Sequence, residues 1–399
     1  MKDTTAVVMA AGKGTRLLPL TLTVPKPLIR LLGKTPLEYN LDNIVGHVHE
    51  IVLVVGYLRE KIIDYLGDAY KGTKIKYVNQ KFPKGTAHAL SVAQSEVRTK
   101  HVLVLNGDDI YDKDLILKTM KLENDVIVGK KDKNWKNFGI LQAGKGNYLL
   151  GIVEKPERYV GDLANIGIYK MKSEIFDYFG KIKKSVRGEY EITDMITKYA
   201  KANKVEIISC NSGWQPLSHP WDLLNFAENK LKGIRTTPKG KIEKNAVIKG
   251  RLHLGKNSVI KSGAYLEGNF YIGDNCEIGP NCYLKSFGSI DDGSDVGNAV
   301  EVTRSVIGKD TKIKHLSYVG DSIIGNNVNL GAGTIISNLR HDNFPILFRV
   351  NKKLINSERR KFGTVIGDFV KTGANTTLYP GTKLDSGTTT LPGEIVDYD

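Results

Sequence analysis

Residues 247–302 read VIKGRLHLGKNSVIKSGAYLEGNFYIGDNCEIGPNCYLKSFGSIDDGSDVGNAVEV. In this stretch Ile248, Leu254, Ile260, Leu266, Ile272, Ile278, Leu284, Ile290, Val296 and Val302 stand at every sixth position without a break. The residue two before is often small or apolar (Ala264, Phe270, Cys276, Cys282, Val300), and glycine follows several of them (Gly255, Gly273, Gly279, Gly297). An amphipathic helix repeats at 3.6 residues and a half-buried strand at two, so neither explains the pattern. A period of six gives one short strand and one turn per repeat. Three repeats close a coil, and each inward aliphatic then stacks on the one eighteen residues away. No repeat buries its own face; stacking supplies the core. The pattern predicts a parallel β-helix of hexapeptide repeats.

Downstream the register slips by one and resumes at Ile307 and Ile313, slips again, runs through Ile324, Leu330 and Ile336, and returns at Ile366, Thr372, Leu378 and Leu384. Residues 339–361, LRHDNFPILFRVNKKLINSERRK, break the repeat and are expected to project as a long loop or arm. Long insertions in solenoids often carry function. Hexapeptide proteins of known families coil left-handed and commonly form trimers, and the likeness implies both for residues 240–399.

Upstream the pattern changes. TTAVVMA, EIVLVVGY, TKIKYVNQ, KHVLVLNGD and NDVIVGKK read as strands, with helical stretches such as PLEYNLDNIVGHV, LREKIIDYLGDAY and GTAHALSVAQSEV between them. That alternation predicts an α/β, Rossmann-like domain with a mostly parallel sheet over residues 1–232. The boundary falls near 230–242, after PWDLLNFAENKLKG and around TTPKGK.

A chain of 399 residues suits two domains. It has no apolar run long enough for a membrane span. The N-terminus enters a strand directly, without the pattern of a signal peptide, so a cytoplasmic location is expected. Three cysteines, Cys210, Cys276 and Cys282, are too few and too scattered for a disulfide framework or a zinc site. The net charge of +15 comes from lysines spread along the chain, with no dense basic block. Anionic small ligands explain it better than nucleic acid.

The segment AVVMAAGKGTRLLPLTLTVPKPL, residues 6–28, runs from a strand into a glycine-rich turn bearing Lys13 and Arg16, with Lys26 beyond. Glycines let backbone N–H groups approach phosphate oxygens, and cations neutralise them. The GKS/GKT ending of a Walker loop is absent, and Leu17 stands where a dinucleotide fingerprint needs its third glycine. The full pattern GxGTRLxPxTxxxPKP resembles the signature of the sugar-1-phosphate nucleotidyltransferases, such as the uridylyl- and thymidylyltransferases of glucose 1-phosphate.

The resemblance continues in order over residues 5–225. QKFPKGTAHAL looks like the base-reading segment and implies that Gln80, Gly85 and Thr86 contact a pyrimidine, beside Ala10, Ala11, Gly12 and Gly14 of the loop. NGDDIY implies Asp108 as a Mg2+ ligand. NFGIL places Gly139 near the sugar, VEKP supplies Glu154 and Lys155, NIGIY supplies Asn165, and RGEYEITD matches a further segment. The implied substrates are UTP or dTTP and a hexose 1-phosphate. The chemistry asks for such groups: the sugar phosphate attacks the α-phosphorus and pyrophosphate leaves, so positioning and charge neutralisation suffice. Lys13 and Arg16 would hold the triphosphate, Lys26 the α-phosphate and Lys155 the attacking phosphate. One departure stands out. The family carries a second metal aspartate in WxDxGxP; this chain has GWQPLSHPWDLL, with Pro216 in that place and His219 nearby. A regulatory subunit that binds a nucleotide sugar without turnover is the alternative reading.

The stretch KHLSYVGDSIIGNNVNLGAGTIISNLRHD resembles the acetyltransferase half of the bifunctional N-acetylglucosamine 1-phosphate uridylyltransferases. By that likeness His315 is the general base, Tyr318, Asn329 and Asn338 position an amino-sugar 1-phosphate, and Gly331 and Ala332 lie against acetyl-CoA. A histidine titrating near neutrality suits deprotonation of an attacking amine. The phosphate contacts match less well. Lys285 replaces an arginine, Thr303 replaces a lysine, and Phe344 and Leu347 stand where related archaeal-type proteins have lysines; Arg304, Arg340, Arg349 and Lys352 are candidates to compensate. The alternative is a β-helix that only trimerises the protein.

Overall fold

A computed structural model describes residues 3–397. The chain divides into two compact units. One comprises Met1–Lys13 and Pro36–Pro216; the other comprises Gly14–Thr35 and Leu217–Asp399.

The first unit is a sheet covered by helices. Its strands are β1 (Thr4–Ala10), β2 (Glu50–Val55), β3 (Ala69–Tyr70), β4 (Thr73–Asn79), β5 (His101–Asn106), β6 (Ile110–Tyr111), β7 (Asp125–Lys131), β8 (Gly139–Ala143), β9 (Leu149–Glu154), β10 (Leu163–Lys172), β11 (Val205–Cys210) and β12 (Trp214–Gln215). Its helices are α1 (Pro36–Ile44), α2 (Arg59–Leu66), α3 (Thr86–Val92), α4 (Lys113–Lys121) and α5 (Ile192–Ala200). The main sheet runs β11-β7-β10-β5-β1-β2-β4-β3. Every residue of β1 and β2 is buried, as expected of strands covered on both faces. Parallel pairing joins β4, β2, β1 and β5 and also β11 and β7; β10 runs antiparallel between β5 and β7, and β3 with β4 and β8 with β9 and β10 are antiparallel too. The sheet is therefore mostly parallel, as the alternating pattern predicts.

The second unit turns the period of six into parallel strands. Leu266, Leu284, Val302, Val319, Ile336 and Leu378 pair in one column. Leu254, Ile272, Ile290, Ile307, Ile324, Ile366 and Leu384 form a second. Ile260, Ile278, Val296, Ile313 and Leu330 form a third. All three feed one buried core, which also takes Cys276 and Cys282. Burial pushes the Cys276 thiol up to about 11 and Cys282 up to about 12, so both act as small apolar side chains. The first slip of register is a local irregularity: Lys285 pairs with Thr303 but Gly288 pairs with Ser305. Small polar residues fill the tight inner turns, where the Ser294 hydroxyl donates to the Gly308 carbonyl and accepts from the Thr311 N–H.

Two further pieces pack in this unit. Helix α6 (Pro220–Leu231) lies on the strands Tyr283–Ile290 and Glu301–Ile307. The insertion does not project as a bare arm. It forms an antiparallel hairpin, Leu347–Val350 with Lys353–Asn356. Ile346, Phe348, Val350 and Phe362 are buried, and Phe348 and Phe362 meet Trp221 of α6 edge-on. The apolar alternation of Ile346, Phe348 and Val350 fits a strand with one buried face, which is why the insertion folds back.

Candidate functional site

Strand β1 sits at the point where the order of the parallel sheet reverses. The chain moves from β1 to β2 and β4 on one side, then returns to β5 on the other. Ligands of open α/β sheets bind beyond the carboxyl ends of strands at such a point. Here those ends carry Ala10–Lys13 and, beside Met9, Asn106–Asp109. The Ala11 carbonyl accepts the Tyr57 N–H at 3.2 Å. A pocket of about 750 Å³ opens there, lined by Ala11 and Lys13, by Gly56–Lys61 and by Asn79–Lys81 and Pro83. The loop and the expected base-reading segment thus share one cavity. Lys13 and Gly12 are exposed, Ala10 and Ala11 buried.

Gln80 is buried: its side-chain amide donates to the Gly85 carbonyl at 3.0 Å and meets His88 Nδ1 at 3.0 Å. Gly85 has φ 109° and presses on the Tyr190 backbone, where no side chain fits. Thr86 Oγ1 accepts the Ile192 N–H at the start of α5. These contacts bring QKFPKGTAHAL and RGEYEITD together. The β8–β9 hairpin pairs Gly139 with Glu154, and a β-carbon on Gly139 would approach Glu154 Oε2 to 2.9 Å. Burial raises the Glu154 carboxyl, opposed by Arg187 and Lys155, and Arg187 reaches it at 3.1 Å. Lys155 holds a left-handed backbone (φ 43°) while its N–H donates to Phe138. The Asn165 amide donates to the Tyr169 hydroxyl and accepts the Gly167 N–H.

Asp108 is half-buried at the end of β5, next to buried Asp109, which accepts Trp214 Nε1 at 3.2 Å. Among the described residues no group of three or more His, Cys, Asp or Glu side chains is placed to hold a metal ion. Mg2+ is commonly held by one or two carboxylates with waters and phosphate oxygens, so it does not require such a group.

In the second unit Gly14–Thr35 forms three short 3-10 turns, Thr15–Leu17, Leu20–Leu22 and Lys26–Leu28. Gly14 takes φ 63°, and a β-carbon there would meet the Lys26 side chain. Arg16 is exposed, whereas Lys26 is 5% exposed. His219 stacks on Trp221 at 4.7 Å. Burial, then Arg16 and Lys26, lower the His219 pKa to about 4. Asp222 accepts the His219 backbone N–H, and burial pushes its carboxyl up to about 6.

The residues of the second candidate site fall into two groups. Arg304 and Asn338 converge on Asp321, a buried carboxylate that sequence reasoning missed, and Asn338 links it to Tyr318. Arg304 donates to both its oxygens at 2.7 Å, and Asn338 donates to it at 2.6 Å and to the Tyr318 hydroxyl at 3.1 Å. Arg359, also missed, lies 3.7 Å from Asp321 and donates to Asn225 of α6. His315, Asn329, Gly331 and Ala332 are exposed or half-exposed, with Asn329 paired beside Lys312. Lys285 is exposed over the Tyr283 ring, and Thr303 is buried with no partner for its hydroxyl. Arg340 forks onto Asp342; Arg349 is half-buried and Lys352 exposed on the hairpin.

Comparison with known proteins places these two halves. The family described as Nucleotidyl transferase matches residues 5–232, and the GMPPB C-terminal domain matches 266–386. A Bifunctional protein GlmU of Methanococcus maripaludis is 42% identical over 396 residues, 99% of this chain and 95% of the relative. A bifunctional sugar-1-phosphate nucleotidylyltransferase/acetyltransferase of Sulfurisphaera tokodaii is 38% identical over 398 residues, 99% of this chain and 97% of the relative. The chain belongs to the bifunctional sugar-1-phosphate nucleotidylyltransferase/acetyltransferase family. Its fold is shared by a crystal structure of UDP-glucose pyrophosphorylase complexed with UDP-glucose, at a TM-score of 0.54 and 20% identity, over 59% of this chain and 100% of that one. As a member of the nucleotidylyltransferase/acetyltransferase family, the chain carries the two transferase halves that its motifs predict. Among the described residues no helix is long and apolar enough to cross a membrane.

Proposed function

We propose that the first half joins a nucleoside monophosphate from UTP or dTTP to a hexose 1-phosphate, and that the second acetylates an amino-sugar 1-phosphate with acetyl-CoA. The observation that carries the first reading is the shared pocket, with phosphate-loop residues Ala11 and Lys13 on one wall and Gln80 on another. Residues 1–232 act as the nucleotidyltransferase domain and 240–399 as the acetyltransferase domain. The latter is a β-helix in this reading, supported by its three columns of parallel pairs, and the hexapeptide likeness implies that it coils left-handed.

Lys13, Arg16 and Lys26 neutralise the triphosphate, with Ala10, Gly12 and Gly14 giving backbone approach. Gln80, Gly85 and Thr86 hold the base. Gly139, Glu154, Lys155 and Asn165 seat the sugar phosphate. Asp108 holds Mg2+, which shields phosphate charge when bound. The phosphate oxygen of the sugar attacks the α-phosphorus and pyrophosphate departs. In the second domain His315 takes the proton from the acceptor amine. Tyr318, Asn329, Asn338, Lys285 and Arg304 line the acceptor side, and Gly331 and Ala332 the thioester side.

Pro216 keeps a second reading in play, because it removes a carboxylate where the resembled family has one. The test is a matrix of triphosphates against hexose 1-phosphates, following pyrophosphate, with free thiol followed in parallel for glucosamine and galactosamine 1-phosphates. Asp108→Ala is expected to lower pyrophosphate release by about two orders of magnitude or more, as loss of electrostatic stabilisation does. His315→Ala is expected to abolish thiol release and spare pyrophosphate release. Nucleotide-sugar binding with no pyrophosphate from any pair would favour a regulatory subunit. Absence of thiol release at saturating acetyl-CoA would reduce the second domain to an assembly module.

A further inference from the structure

Segment 14–35 carries Arg16 and Lys26, yet it has neither a strand nor an α-helix of its own. Its internal backbone hydrogen bonds are local: Leu17 to Gly14, Leu22 to Pro19, Leu28 to Pro25. Such turns fix a curve, not a place in space. Residues of the parallel-strand domain, which belong to the same compact unit, help to fix that place.

Three anchors do this. Arg30 forks onto a pair of carboxylates: Nε donates to Asp291 Oδ2 at 2.7 Å, and Nη2 donates to Asp291 Oδ1 and Asp292 Oδ2, each at 3.0 Å. Thr23 Oγ1 donates to Asp368 Oδ2 at 2.6 Å. Gly33, at φ 78°, lies so close to the Tyr271 hydroxyl that no β-carbon fits. Leu17, Leu28 and Leu31 are buried, and the turn Thr15–Leu17 packs against the hairpin strand Leu347–Val350.

The acidic anchors are built rather than incidental. Asp291 and Asp368 are each 4% exposed. Asp368 also accepts the Asn326 N–H at 2.7 Å, and Asp292 accepts the Asp274 N–H at 2.8 Å. Two neighbouring carboxylates, one of them buried, repel unless a cation answers both, and a planar guanidinium does so bidentately.

We propose that Arg30, held by Asp291 and Asp292, is a positioning residue for nucleotidyl transfer. A turn of the second domain fixes the segment that presents Arg16 and Lys26 to the triphosphate, so the first reaction depends on the second domain. This rests on the reading of Arg16 and Lys26 as triphosphate ligands.

The test uses the full-length chain as Arg30→Ala, Arg30→Lys, Asp291→Asn and the Arg30→Ala/Asp291→Asn double variant. The exposed Lys71→Ala, which removes an ion pair to Asp42, serves as control. Arg30→Ala is expected to lower kcat for pyrophosphate release roughly ten- to a hundredfold, the scale of a small misplacement of binding groups, and to raise the KM for triphosphate. Asp291→Asn is expected to do likewise, and the double variant to be no worse than the weaker single. Arg30→Lys recovers part of the rate, because it keeps the charge and loses the fork. Acetyl transfer stays unchanged throughout. Wild-type kinetics in a folded Arg30→Ala protein would overturn the proposal, as would equal losses in both reactions. If the wild type releases no pyrophosphate, the functional reading fails separately. Triphosphate affinity by calorimetry then decides the positioning role, weakening in Arg30→Ala supporting it and unchanged affinity refuting it.

Discussion

At the N-terminus of α6 two titratable side chains sit 4.0 Å apart and are both driven towards neutrality. Burial raises Asp222 to about 6 against the pull of the His219 and Ser218 N–H groups and of Lys26 and Arg16. Its folded-state value exceeds the ordinary 3.8, so its contribution to stability is fully present below about pH 4 and is lost as pH rises through 6. His219 has the opposite sign: lowered to about 4, it stabilises above pH 6.5 and that contribution is lost as pH falls through 4. Asp222→Asn keeps an acceptor for the His219 N–H and removes the buried charge. It is expected to raise stability at pH 8 by about 1–3 kcal/mol, with the gain fading by pH 4. Denaturant midpoints from pH 4 to 8 measure it; a variant profile parallel to the wild type would show that burial is not the cause. Little of this was legible beforehand. Lys13, Gln80 and Glu154 belong to motifs that name their chemistry. Asp222, Asp321 and Arg359 gain theirs only from what folds over them.

The hairpin of residues 347–356 shows how an element escapes a sequence reading. The period of six was visible because one residue type recurs at each inward position, from Ile248 to Val302. The insertion has only Ile346, Phe348 and Val350 in alternation, too short a run to separate a packed strand from a bare loop. Folding settles it by burying Phe348 against Phe362, with ring centroids 5.6 Å apart, and against Trp221 at 6.2 Å. Phe348→Ala is therefore expected to cost about 3–5 kcal/mol in chemical denaturation, the usual loss for a buried phenylalanine. A projecting arm would lose almost nothing. Strands β1, β2 and β5 of the first unit were the easiest elements to read, since each is a nearly continuous apolar run bounded by turns. The antiparallel course of β10 was not readable, because direction is set by the connection through the β8–β9 hairpin and not by composition.

At the scale of the whole molecule, segment 14–35 is held by residues far along the chain. Nothing in GTRLLPLTLTVPKPL announces that its anchors lie more than two hundred residues away at Asp291, Asp292 and Asp368; a long-range partner leaves no local pattern. Assembly poses the same problem. Leu316, Phe344, Leu354, Phe369, Leu391 and Ile395 are more than half exposed in the second unit. Scattered apolar side chains are ordinary on a surface, but six large ones on a domain of stacked strands are what association would cover. The hexapeptide likeness implies that it does so as a trimer. Light scattering of the intact protein is expected to give three times the chain mass. Deleting residues 240–399 should leave a monomeric or poorly soluble N-terminal domain. That truncated domain also lacks every acidic anchor of segment 14–35, so any soluble fraction should bind triphosphate more weakly than the full chain. An intact protein at one chain mass would remove the trimer. A truncated domain with full triphosphate affinity would instead show that the segment needs no seat outside residues 1–232.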